Sequence, residues 1–380
     1  MTTPKVRKIE WGSLSGRRPR NAGSNARLGE HGISVRVPLA RITLDDGTSG
    51  FGSCRRGDAA SAQAIVGKPL DELFDPHGGT TQQAMAFDFP LWDLVAKRAN
   101  LPVYALAAQM AGKSVTAPFE VPCYDTSLYI DDLHLSDDAA AAALIAQEAY
   151  EGWEKGHRAF KIKVGRGARH MPLEEGTQRD IKVIHAVREV VGKDAPLLLD
   201  ANNGYNLNLT KRVLAETAEC DIFWMEEAFH EDPVLYEDLK VWLSREGLSV
   251  LIADGEGLAS PLLLEWAEAG LVNVVQYDIF SYSFTPWLAL GQKLDGWGVR
   301  TAPHHYGGHY GNYAAPHLAG AISNFAYAEW DDATTPGLDA SGYSVHEGKV
   351  RVSDMPGFGL LLDDGVFRAA VEANGFVVEG

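Results

Sequence analysis

From about residue 118 to 330 the chain alternates short apolar runs with stretches whose apolar residues recur every three or four positions. The runs fall at 118–124, 159–164, 196–200, 222–227, 250–256, 272–278, 299–304 and 325–330. A short run bounded by turn residues and followed by a helical period marks a βα unit, and eight in succession predict a parallel sheet covered by helices. Between the first two runs, Leu144, Ile145, Ala149 and Trp153 share one face of a helix that Ser136 is placed to cap. After the second, Ile181, Ile184, Val187 and Val191 keep helical spacing and stop before Gly192, a common terminator. Eight such strands point to a closed α/β barrel, while an open doubly wound sheet satisfies the same pattern.

Outside this region the period changes. Residues 1–115 carry a strand-like stretch at 35–44, a turn at Asp45-Asp46-Gly47 and a helical pattern around 87–98. Beyond about 340, short strand signals and glycines return. The expected division is an α+β capping domain at 1–117, a barrel at 118–340, and a C-terminal segment at 341–380 that completes the cap.

In a parallel barrel the chemistry sits where strands end and loops begin. Those ends carry Lys163, Asp200, Glu226, Glu256, Asp278, His304 and Glu329, at successive spacings of 37, 26, 30, 22, 26 and 25 residues, one βα unit each. Asp200, Glu226 and Glu256 come from three neighbouring strands and are expected to converge. Clustered carboxylates repel one another unless a cation neutralises them, and an all-oxygen set favours a hard ion such as Mg²⁺, one per subunit. Asn202 shares the alternation of Asp200, which places an amide beside that ion. Three solvated loop carboxylates are the plainer alternative.

Lys161 and Lys163 lie two apart on one strand and point the same way, with Phe160, Ile162 and Val164 facing the other. Two adjacent ammonium groups are expected to depress each other's pKa and poise one as a base. Asp278 and His304 sit on neighbouring strand ends, where a carboxylate fixes the imidazole tautomer and raises its basicity. They form a second acid/base group across the barrel from the lysines. His305 is adjacent and a further substrate contact, although its side chain should leave on the opposite face. His309 and His317 read as packing residues, and the glycine-rich stretch 306–311, with neither a Walker nor a dinucleotide pattern, as a flexible barrel loop. Arg17, Arg18, Arg20 and Arg27 fall within 16–32, and Arg55 and Arg56 near another turn. If these loops close over the barrel mouth, Arg17 and Arg18 hold an anionic end of the substrate; a solvated basic loop is the other reading.

Composition narrows the classes further. The 380 residues suit one large barrel with a smaller partner, and 46% hydrophobic with 22% charged content is that of a soluble globular protein. No run approaches the roughly 18 apolar residues of a membrane span. The start lacks an apolar core with a cleavage site, and three widely spaced cysteines (Cys54, Cys123, Cys220) point to reduced thiols in the cytoplasm. A net charge of −17 argues against nucleic acid and anionic membranes as partners, so an anionic substrate would need a metal ion or a local basic patch.

These residues resemble the mandelate racemase subgroup of the enolase superfamily over almost the whole length. The resemblance rests on seven segments in order: 86–94 with Leu101-Pro102-Val103, Phe160-Lys161-Ile162-Lys163-Val164-Gly165, Leu199-Asp200-Ala201-Asn202, Trp224-Met225-Glu226-Glu227, Asp254-Gly255-Glu256, Gln276-Tyr277-Asp278 with Ala302-Pro303-His304, and Glu329. It implies a modified (β/α)8 barrel of (β/α)7β type under an α+β cap, Mg²⁺, a small carboxylate substrate and a homo-oligomer. It also implies that Glu329 hydrogen-bonds the substrate carboxylate. The sequence departs from the family at Ala228, where proline is usual, and at 280–284, which replaces a common glycine pair. No lysine follows Asp278 on its strand, unlike the muconate-cycloisomerase subgroup. The implied activity is dehydration of an aldonate or aldarate through an enediolate to a 2-keto-3-deoxy acid. Racemisation or epimerisation through the same enediolate, and a non-catalytic metal-binding barrel, are the alternatives.

Overall fold

A computed structural model describes residues 3–257 and 259–380. The runs become eight parallel strands: β1 (Glu120–Leu128), β2 (Phe160–Lys163), β3 (Leu197–Asp200), β4 (Ile222–Glu226), β5 (Leu251–Asp254), β6 (Val274–Val275), β7 (Arg300–Thr301) and β8 (Ala328–Trp330). Each pairs with the next from β1 to β7, and β8 returns to pair with β1. A parallel bridge between Thr301 and Phe325 joins β7 to the approach of β8 and closes the barrel. This excludes the open sheet. Helices α1 (Asp138–Glu154), α2 (Leu173–Val191), α3 (Leu207–Glu216), α4 (Pro233–Glu246), α5 (Leu263–Glu268) and α6 (Phe284–Trp297) follow β1 to β6 in turn. Short helical turns, Gly311–Ala314 and Ala315–Gly320, replace a full helix between β7 and β8, giving the (β/α)7β form.

The strand alternation divides the interior in two. Phe160, Ile162, Leu197 and Leu199 face outward into the layer filled by Ile181, Ile184 and Val187 of α2, all buried. Tyr124, Leu198, Trp224, Ala253 and Val274 face inward and plug the lower barrel, with the Tyr124 and Trp224 rings edge to face at 5.6 Å. The upper barrel is left to polar residues. Helix α1 is capped by Asp137 and not by Ser136: the Asp137 carboxylate accepts the Ala140 amide at 2.8 Å, and its charge suits a helix N-terminus.

The cap is an antiparallel sheet of Val6–Ala22, Gly32–Leu44 and Ser49–Ser53, extended at its other edge by Phe376–Glu379. The arginine-rich segment is therefore strand as far as Ala22, not a loop from residue 16. The C-terminal tail divides its pairing, since a hairpin of Ser344–His346 and Lys349–Arg351 continues β1 antiparallel before the chain returns to the cap. Among the described residues no helix is long and apolar enough to cross a membrane.

Candidate active site

Three strand ends bring Asp200, Glu226 and Glu256 together, with one oxygen of each within 4.8 Å of the others. Asp200 and Glu226 end β3 and β4; Glu256 lies just beyond β5, where Gly255 at φ +127° turns the chain back over the barrel. Lys161 Nζ reaches Glu226 Oε1 at 2.9 Å, Asp200 Oδ2 at 3.3 Å and Glu329 Oε1 at 3.4 Å, while Lys163 Nζ bonds Asp200 Oδ2. Both lysines are buried. Burial alone would lower their pKa, but for Lys161 the carboxylates of Glu226, Glu329 and Asp200 outweigh it, and for Lys163 that of Asp200 does. Both ammonium groups are held above their ordinary value, opposite to the depression expected from their adjacency.

Asp278 and His304 face each other across a parallel bridge, with His304 Nδ1 3.2 Å from Asp278 Oδ2. The other Asp278 oxygen accepts the amides of Phe280 and Ser281 at 3.1 and 2.8 Å, so the carboxylate cannot swing away from the ring. His304 Nε2 lies 3.1 Å from Glu256 Oε2. Burial lowers the imidazole pKa, but Glu256, Glu329 and Asp278 together raise it to about 9. Glu256, Asp278 and His304 keep 11%, 13% and 17% of their side-chain surface open, against 0–3% for Asp200, Glu226, Lys161 and Lys163. The open rim of the cluster is thus on the histidine side.

Glu329 lies in β8 beside Lys161. It is fully buried and accepts from Thr126 Oγ1 at 2.7 Å, the His305 amide at 2.6 Å and the Tyr306 amide at 3.0 Å. Burial opposes its ionisation, yet Lys161, His304 and these donors hold its pKa well below the usual range. A carboxylate with these donors anchors Lys161 and the 305–306 backbone. His305 contributes that amide, while its ring is buried and turned to the Glu329 carbonyl at 2.8 Å, away from the cluster. His309 and His317 are satisfied core histidines bonded to Thr335 and Tyr313, and to Tyr104 and Tyr343. The 306–311 stretch is buried from Gly308 onward, where a Cβ on Gly311 would meet the His305 ring at 2.2 Å, while Gly307 is exposed.

Residues 23–31 cross the barrel mouth. Ser24 bridges Ile130 beyond β1, His170 beyond β2 meets the Asn25 carbonyl at 2.6 Å, and Arg27 lies 3.9 Å from Glu227 beyond β4. Ala26 seats in a notch between Gly165 and Gly204, where a Cβ would come within 2.8 and 2.4 Å of its methyl. Arg18 is committed elsewhere: it is buried, pairs with buried Asp331 at 2.9 Å and lies over the Tyr306 ring at 4.4 Å. Arg17 is exposed on its strand and bonds Thr334 through its backbone. Gly204→Ala is expected to lift the 23–31 segment and raise KM severalfold with less change in kcat; unchanged KM in steady-state kinetics would show that the segment does not cover the site.

Sequence reasoning missed several neighbours. Glu227, at φ +41°, turns its buried carboxylate to the cluster, and Asn202 joins it there by donating to Glu256 at 2.8 Å and Glu227 at 3.2 Å. Tyr129 lies 5.2 Å from Lys163 Nζ, and Tyr129, Tyr306 and His31 form one aromatic group with ring separations of 4.7–5.6 Å. These contacts join loops remote in sequence and carry no periodic signal.

Comparison with known proteins places this geometry. Residues 144–366 match the family described as enolase C-terminal domain-like. A galacturonate dehydratase from Geobacillus sp., solved with D-galacturonate and 5-keto-4-deoxy-D-galacturonate, is 49% identical, with 100% of both chains covered and a TM-score of 0.95. A mutant of galacturonate dehydratase from Geobacillus sp., solved with Mg, is 49% identical, covering 99% of this chain and 97% of that one, at a TM-score of 0.96. An arabinonate dehydratase of Saccharolobus solfataricus is 27% identical over 369 residues, 90% of this chain and 91% of that protein.

Proposed function

Because this chain belongs to the enolase superfamily, we propose that it is a divalent-metal-dependent acid-sugar dehydratase, with a hexuronate such as D-galacturonate as substrate. The observation that carries the reading is a lysine and a histidine–aspartate pair flanking three convergent carboxylates. The donor set is all oxygen, and Asn202 Oδ1 beside it is buried without a hydrogen-bond partner, so the residues fit a hard ion such as Mg²⁺. Asp200, Glu226 and Glu256 are its proposed ligands. Bound there, Mg²⁺ supplies positive charge that orients the substrate carboxylate and offsets the charge developing on it.

The protein's own groups move the protons. Once bound positive charge offsets the carboxylates that otherwise hold both groups protonated, Lys163 Nζ or His304 Nε2 takes the proton from the carbon next to the carboxylate, according to its configuration. His304, its tautomer fixed by Asp278, returns a proton to the β-hydroxyl, which leaves as water. The enol then becomes a ketone, so the overall change is loss of one water. Lys161, held by Glu226 and Glu329, keeps positive charge beside the carboxylate. A second substrate carboxylate, as in an aldarate, has little support because Arg18 is neutralised by Asp331 and Arg17 is exposed. The 49%-identical relative, solved with a uronate and its keto-deoxy product, supports a single carboxylate.

The test is proton NMR in D₂O with the Mg²⁺-loaded protein and a panel of uronates, aldonates and aldarates. The expected result is loss of the α-proton with a keto-deoxy product from a uronate. Deuterium exchange without water loss would replace the reading by an epimerase, which two bases on different strands also allow. No change with any compound would overturn both.

A further inference from the structure

Glu226 differs from the other two clustered carboxylates in how it is held from below. On β4 the alternation points Trp224 and Glu226 to the same interior, one layer apart, and the Trp224 indole Nε1 donates upward to Glu226 Oε2 at 3.1 Å. From the end of β6, Gln276 Nε2 donates to the same oxygen at 2.9 Å. Lys161 takes the opposite oxygen, Oε1, at 2.9 Å. Trp224, Gln276 and Glu226 are each 0–1% exposed, so no water competes for these bonds. Both donors are buried and spend their N–H groups on Glu226, and the proton-transfer scheme uses neither.

Two neutral donors converging on one oxygen fix the plane of a carboxylate and leave its other oxygen to face the cluster. A carboxylate so fixed loses little rotamer freedom when an ion binds, and outer partners of this kind typically change metal affinity about 10–100-fold. We infer that Trp224 and Gln276 are positioning residues that preset Glu226 for the metal ion, so that the floor of the barrel sets metal affinity. The inference rests on the metal site proposed above.

Metal alone is the probe. Mg²⁺ binding to the full-length protein is measured by titration calorimetry, with Mn²⁺ binding followed by electron paramagnetic resonance as a second readout. Gln276→Leu keeps the side-chain size and removes the amide, and Trp224→Phe keeps an aromatic plug and removes the N–H. Each is expected to weaken binding about 10–100-fold, with the metal-free melting curve near that of the parent and Gln276→Asn, which keeps a shorter amide, intermediate. Affinities within twofold of the parent in both Gln276→Leu and Trp224→Phe would overturn the inference while leaving the metal site intact. A parent protein that binds neither ion would overturn the site itself.

Discussion

His304→Asn is expected to lower kcat with an acid-sugar substrate by about 10²–10⁴-fold, the usual contribution of a positioned general acid or base. Asparagine can still face Asp278, whose carboxylate is locked by the Phe280 and Ser281 amides, so the rim geometry should persist. What disappears is the group that exchanges a proton at Nε2, beside Glu256. Metal binding should hold within a few-fold, because none of the three clustered carboxylates is removed. The pair of variants His304→Asn and Lys163→Met also assigns the first step. If Lys163 takes the α-proton, His304→Asn keeps exchanging it with D₂O while making no keto product, and Lys163→Met does neither. If His304 takes it, exchange is lost in His304→Asn and Lys163 has the secondary role. Full turnover in His304→Asn would remove the histidine from the mechanism.

Much of the chemistry was legible because it follows strand period. Lys161 and Lys163 two apart on β2, and acids recurring once per βα unit, are one-dimensional signals that a closed barrel converts into a point. The ionisation of the lysines was not legible, because their neighbours along the chain are each other and their neighbours in space are Asp200, Glu226 and Glu329 on other strands. Arg18 shows the same limit: its partner Asp331 is 313 positions away, and no local pattern separates a buried ion pair from a substrate clamp. Alternation puts the His305 ring on the face away from the cluster, where it lies buried, so the substrate contact expected of it does not fall to the ring and its useful group is the backbone amide to Glu329. The notch that seats Ala26 joins Gly165, which closes the lysine-strand motif, to Gly204, which no motif marks, and each is needed for close approach.

The second large effect should be on stability. Arg166, three residues after Lys163, is fully buried with its guanidinium between two carboxylates. Nη2 meets Asp132 at 2.6 Å, Nη1 meets Asp180 at 2.8 Å, and Nη1 also lies 3.3 Å from the Lys163 carbonyl. Asp180 in turn accepts the Gly165 amide at 2.8 Å and the Tyr205 hydroxyl at 2.7 Å. One cation thus ties the loop after β1 and the turn after Lys163 to α2, and through Asp180 and Tyr205 to the loop after β3 that carries Asn202. Arg166→Met leaves Asp132 with Arg179 at 3.3 Å, but strips Asp180 of its counter-ion in a dry site. Removing one partner of a buried pair costs about 3–5 kcal/mol, and lysine cannot fork between two acids as arginine does. The Asp180 pKa is already raised by burial, with Arg166 opposing the rise. Without Arg166 it should rise further, so the folded state binds that proton more tightly than the unfolded chain and loses stability as pH rises through the folded value. The deficit of Arg166→Met, read as the shift in denaturation midpoint by tryptophan fluorescence, should therefore be larger at the higher pH and shrink as pH falls toward the ordinary carboxylate range. A midpoint equal to the parent's at the higher pH would show that the three loops hold together without this cation.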